Sequence, residues 1–135
     1  MTINCKGILV DVSTPKVMGI LNVTPNSFYD GGKYKNETEI LSQVEKMLVD
    51  GASFIDIGAY SSKPNAEFVS EEAEIVRIAP VVDLILKHFP ETILSIDTFR
   101  SEVAKIAIES GAAIINDISA GILDDKMLET IGKYN

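Results

Sequence analysis

Four short apolar runs in this sequence each lead into a side chain that can exchange hydrogen bonds. The first ends in Asn22, the second in Asp56, the third in Asp97 and the fourth in Asn116 and Asp117. Taken singly, an Asp or Asn in such a place starts a turn or caps the next helix. Four in succession point to a shared site. If the runs are parallel strands, their carboxyl ends gather at one mouth, where βα proteins carry their chemistry. Carboxylates and amides suit recognition of a flat heterocycle rich in donors. An Asp accepts from ring N–H and amino groups, and an Asn both donates and accepts. The same oxygens could hold Mg²⁺, a hard ion that often bridges to substrate phosphates. Other chemistries lack their residues. No Ser-His-Asp arrangement is present, and the lone His88 falls near the end of a helix, far from the mouth. Cys5 lies outside the repeating pattern, and no G-x-G-x-x-G loop supports a dinucleotide.

Period and punctuation supply the elements that would position these residues. Strands are expected at 17–21, 53–57, 92–96 and 113–118. The helix after the first strand opens on the capping box Asn36 to Glu39 and runs inward through Ile40, Leu41, Val44, Met47 and Leu48 to Gly51. The second opens at Ser70 with Glu71 and Glu72, buries Ile75, Ile78, Val82, Ile85 and Leu86, and should kink at Pro80. A third covers 102–110, capped by Ser101, and a fourth runs from about Asp124 to Lys133. Residues 1–10 read as a small strand pair turning at Lys6 and Gly7. The strands lack clean alternation, which argues for a parallel sheet buried on both faces. A weak repeat relates "GASFIDIG" at 51–58 to "GAAIINDIS" at 111–119 and puts Asp56 and Asn116 at matching points.

The fold class is therefore α/β, with four βα units in one domain spanning 1–135. Four consecutive βα units make either a small open sheet or half of a (βα)₈ barrel; a whole barrel takes about 250 residues, of which 135 would hold about half. Open edges on the first and fourth strands would invite pairing with another chain, and a homo-oligomer is expected. A net charge of −8 argues against nucleic acid as a partner. Any phosphate must be met by local cations, and Lys33, Lys35, Lys63 and Arg100 lie beside the polar loops. No apolar run reaches the roughly 18 residues of a membrane span. A single cysteine allows no internal disulfide, and no basic-then-apolar start suggests export; both fit a cytoplasmic protein without a membrane partner.

Three segments together resemble one family. They are "GILNVTPNSFYDGG" at 19–32, "DIGAYSSKPNAEFVSEEAEI" at 56–75 and "SIDTFRSEVAKIAIESGAAIINDISAG" at 95–121. The family is the dihydropteroate synthases of folate biosynthesis. The resemblance covers Val17 to Gly121 and matches only the N-terminal half of that family's TIM-type (βα)₈ barrel. It implies condensation of 6-hydroxymethyl-7,8-dihydropterin pyrophosphate with p-aminobenzoate, giving 7,8-dihydropteroate and pyrophosphate. It also implies Mg²⁺ and a cation-like pterin at the methylene carbon.

By resemblance, Asn22 matches the metal and pyrophosphate contact, and Asp97 and Asn116 match pterin-pocket residues. Asp56 matches a strand-end Asp supporting that pocket, and Asp30 a carboxylate of the closed first loop. Ser62 matches a substrate-contacting Thr, and Phe28 and Pro64 match residues lining the p-aminobenzoate pocket. Lys63 stands where the family has an Arg, keeping the charge but losing the planar fork. Asn26 and Asn65 replace the family's Asp and Gly. Two other readings fit the strand-end residues. One is a pterin-binding module without catalysis, of the methyl-transfer type. The other is a non-catalytic half-barrel that self-assembles. The 135-residue chain alone is expected to be inactive.

Overall fold

The computed structural model describes residues 1–23, 37–59 and 68–134. Two strands come first, β1 (Thr2–Cys5) and β2 (Ile8–Asp11), paired antiparallel. Lys6 and Gly7 both take positive φ, the tight primed turn that a right-twisted hairpin requires. Lys6 Nζ then donates to the Ile108 carbonyl at 2.5 Å, which fastens the hairpin to the last turn of the third helix.

The βα series follows. It comprises β3 (Val17–Asn22), α1 (Glu37–Val49), β4 (Ala52–Gly58), α2 (Glu71–His88), β5 (Leu94–Asp97), α3 (Ser101–Ser110), β6 (Ile114–Asn116) and α4 (Met127–Lys133). The four main strands form one parallel sheet in the order β3-β4-β5-β6. Neighbours in space are neighbours in sequence, as in a barrel wall. Among the described residues β3 and β6 each pair on one side only, so the predicted open edges are present.

One face of the sheet makes the core. Leu21, Ile57 and Ile96 stand in one row with Ile55 and Leu94 beneath, all essentially inaccessible. Helix residues Val44, Val81, Val82, Ile85 and Ala107 close over them. Each such large aliphatic side chain contributes about 1.5–3 kcal/mol by leaving water. Gly19 lets α1 come close, since a Cβ there would meet the Met47 sulfur. Both faces of β4 and β5 are covered, as their sequences suggest. The expectation fails at β3, where Ile20 is 54% exposed on the opposite face, because an edge strand lacks a neighbour to shield it.

Several local expectations hold and others shift. Ser70 caps α2, its hydroxyl accepting from Ala73 N–H at 3.2 Å. That helix continues through Pro80 to His88, which is exposed. Asn36 lies outside the described residues. Ser101 does not cap α3; it is the first helical residue, and its N–H donates to Asp124 Oδ2 at 2.7 Å. Asp124 thus does a cap's work from 23 residues away, and α4 starts only at Met127.

The bond from the Ser101 N–H, more than any other cause, holds the Asp124 carboxyl below its ordinary range. Asp124→Ala should cost about 1 kcal/mol in chemical denaturation at pH 7. A depressed folded pKa means the stabilisation is present above the unfolded value and is lost as pH falls through the folded one. The gap between parent and variant should therefore close in acid. A gap unchanged down to pH 3 would show that the cap carries no charge component.

Candidate active site at the strand ends

The parallel register assembles the predicted residues. Asn22 pairs with Gly58, Gly58 with Asp97, and Asp97 with Asn116. These four positions form one row at the carboxyl ends of four strands, and in aligned parallel strands they face the same side. That side is opposite the helix-covered core. Asn22 and Asn116 are exposed and Asp97 is half-buried.

Gly58 holds the middle of the row open. A Cβ there would lie 3.6 Å from Asp97 Oδ2 and 3.8 Å from Asn22 Oδ1. The absent side chain leaves a gap bordered by one carboxylate and one amide oxygen. Backbone bonds extend the order past the strands. Val23 N–H donates to the Gly58 carbonyl at 2.8 Å and Thr98 N–H to the Asn116 carbonyl at 3.2 Å. Arg77 of α2 donates to the Ala59 carbonyl at 3.0 Å, fixing the end of β4.

Asp56 sits deeper than expected. The second strand does not stop there but continues to Gly58, so Asp56 lies one layer below the rim, beside Ser95. It is 3% exposed. Asn116 reaches down to it, donating from Nδ2 to Asp56 Oδ2 at 3.2 Å. Among the described residues, Asp56 Oδ1 and the Ser95 hydroxyl are buried without hydrogen-bond partners. Such atoms cost free energy unless something supplies the missing bond. The floor of the row therefore asks for a ligand donor.

Asp117 does not belong to the row. Its carboxylate accepts from Ser119 N–H, Ser119 Oγ and Gly121 N–H and is spent on the turn after β6. Arg100, read as a cation for phosphate, is also committed elsewhere. Its Nη1 pairs with Glu74 at 2.7 Å and its Nη2 with the Val69 carbonyl at 2.7 Å. Cys5 is buried in the hairpin, and burial pushes its thiol pKa up, the opposite of a nucleophile's need. Phe28, Asp30, Ser62, Lys63, Pro64, Lys33 and Lys35 lie outside the described residues.

Two concave regions lie away from this row. One is bordered by Ala52, His88 and Thr92, and the other by Lys6, Ala112 and Tyr134. Both are at the starts of strands, at the opposite end of the sheet. Sequence reasoning missed the buried Glu74, although a signal existed. Glu74 lies on the apolar stripe of α2 with Ile78, Val81 and Ile85, at helical spacing. A carboxylate on such a stripe requires a partner, and Arg100 is that partner.

Comparison with known proteins agrees with this arrangement. A family profile described as "Pterin binding enzyme" matches residues 18–135. The dihydropteroate synthase of Streptococcus pyogenes serotype M1 is 44% identical over 119 residues, which are 88% of this chain and 44% of that protein. The structure of Yersinia pestis dihydropteroate synthase with a sulfonamide drug complex superposes with a TM-score of 0.85 at 41% identity, covering 99% of this chain and 48% of that one. The Xanthomonas albilineans dihydropteroate synthase with 4-aminobenzoic acid also gives 0.85, at 34% identity, covering 98% and 48%. The chain thus spans a little under half the length of these three relatives, and its sheet is half of their barrel. It belongs to the pterin-binding enzyme family, and within that family it is similar to dihydropteroate synthases.

Proposed function

We propose that this chain is the N-terminal half of a dihydropteroate synthase and forms the pterin-binding wall of its site. The observation that carries the proposal is the row Asn22, Gly58, Asp97 and Asn116 above the buried, half-satisfied Asp56. A reduced pterin is flat and edged with ring N–H and amino donors. Asp97 offers a carboxylate at the rim, and Asp56 Oδ1 offers an unfilled acceptor below it. Asn116 has one amide hydrogen committed to Asp56, and its side-chain Oδ1 can accept from a ligand.

In the condensation, the amine nitrogen of p-aminobenzoate forms a bond to the pterin methylene carbon. The bond from that carbon to the diphosphate oxygen breaks, and the nitrogen releases a proton. Positive charge builds on the pterin as the diphosphate leaves. Carboxylates already fixed in place stabilise that charge without reorganising. The bound p-aminobenzoate in the Xanthomonas relative supports the second substrate.

The residues present also fit Mg²⁺. The gap over Gly58 is bordered by hard oxygen donors, Asn22 Oδ1 and Asp97 Oδ2. Among the described residues no cluster of three His, Cys, Asp or Glu exists. Such a donor set suits an ion held by a protein oxygen and otherwise by substrate phosphates and water. Asn22 would hold it, and it would supply the positive charge that a diphosphate leaving group needs from an acidic scaffold.

Calorimetric titration with 6-hydroxymethylpterin tests the wall directly. The parent chain should bind, and Gly58→Leu should abolish binding by filling the gap between Asn22 and Asp97. Gly58→Ala should retain the fold, since its Cβ meets neighbours only at ordinary contact distance. Binding by Gly58→Leu equal to the parent's would move the site away from this row. Turnover by the 135-residue chain itself would overturn the view that it supplies only one wall.

A further inference from the structure

Arg100 and Glu74 form a second polar cluster just outside the row. Glu74 is fully buried on α2, and the Arg100 side chain is only 12% exposed. Both terminal nitrogens of the guanidinium are engaged. Nη1 holds Glu74 Oε2, Nη2 holds the Val69 carbonyl, and the plane lies over Phe99 at 4.7 Å and near Phe68 at 5.8 Å. Thr98 sits between this cluster and the row. It is fully buried, its hydroxyl accepts from the Arg100 N–H at 3.2 Å, and its own N–H donates to the Asn116 carbonyl. Asp97 is the residue immediately before it.

We propose that Arg100 is a positioning residue for Asp97, acting through a clamp with Glu74 that joins the end of β5 to the segment at Phe68 and Val69. The inference rests on the reading of Asp97 as a pterin-facing residue. The backbone after Asp97 is fixed at two points. Residue 98 is tied sideways to β6, and residue 100 is tied outward to α2 and to Val69. With Asp97 paired within β5 and the backbone after it fixed at these two points, its carboxylate is held toward the gap over Gly58.

The choice of arginine follows from geometry. A planar fork can hold a carboxylate with one nitrogen and a carbonyl with the other while stacking on rings. A lysine can replace the charge facing Glu74 but cannot also span to Val69. The cluster is not an economical way to gain stability, because a buried ion pair often does no better than apolar residues of similar volume. Its use here is to fix position.

Arg100→Lys in the 135-residue chain separates position from stability. It should melt within a few degrees of the parent. Amide exchange should quicken at least tenfold at Thr98 and stay unchanged at Ile57 within β4. Affinity for 6-hydroxymethylpterin should fall about tenfold. The clamp has no positioning role if Thr98 exchange and pterin affinity both match the parent's. It also has none if exchange at Ile57 and Thr98 rises together, which marks general loosening. Faster Thr98 exchange with unchanged pterin affinity overturns it as well. A parent chain that binds no pterin refutes the pterin reading instead, and the exchange contrast then decides the clamp alone.

Discussion

Replacing Asp97 with Ala should lower the affinity of the chain for 6-hydroxymethylpterin about 100-fold, and Asp97→Asn should lower it about tenfold. Asp97 is the half-buried carboxylate at the centre of the strand-end row, facing the gap over Gly58. Its neighbours are less able to substitute for it. Asn22 and Asn116 are exposed amides without charge, and one Asp56 oxygen already has a partner. A hydrogen bond to a charged group is worth about 1.5–3 kcal/mol, and about 1.4 kcal/mol is a tenfold change in binding. Asn keeps an acceptor oxygen in the same place, so the amide recovers part of the loss. Isothermal titration on variants whose melting stays within a few degrees of the parent measures the effect. Full affinity in Asp97→Ala would remove Asp97 from the site and leave Asp56 as the anchoring carboxylate.

Much of this arrangement is legible in the sequence. Apolar runs ending in polar residues correctly locate Asn22, Asp97 and Asn116, because a buried parallel strand can expose polar groups only at its ends. The repeat also carries information. Asp56 and Asn116, at matching points in their units, hydrogen-bond to each other across β5. The depth of Asp56 was not legible. The expected strand ends at Ile57, yet Gly58 pairs with neighbours on both sides, so Asp56 lies two residues inside the strand's end.

What stays hidden is the pairing of residues distant in sequence. Asp117 looks like the partner of Asn116 at the mouth but satisfies the N–H groups of its own turn. Ser101 looks like a cap, while the cap is Asp124 from beyond β6. Glu71 and Glu72 read locally as first-turn acids and Glu74 beside them passes unnoticed, while Arg100 reads as a cation for phosphate. Each reading obeys a sound local rule. Tertiary structure overrides them by burying Glu74 and Arg100 against each other, 26 residues apart.

That burial sets the largest expected change in stability. Glu74→Ala should destabilise the chain by about 3–5 kcal/mol, because it strands the Arg100 charge in a nearly water-free position. Pairing Glu74→Leu with Arg100→Met should recover most of the loss, since no charge then remains buried. Loss of solvation raises the Glu74 pKa above its ordinary value of 4.5, with Thr98 and Arg100 offsetting only part of the effect and Asp97 adding to it. The sign of the pH dependence follows. Between the unfolded and folded pKa values the folded state binds more protons, so stability falls as pH rises through that window. Glu74→Gln cannot titrate and should lack this component. The stability difference between parent and Glu74→Gln should therefore narrow from pH 4.5 upward, measured by urea denaturation across a pH series. A difference that widens with pH would mean that attraction to Arg100 outweighs desolvation.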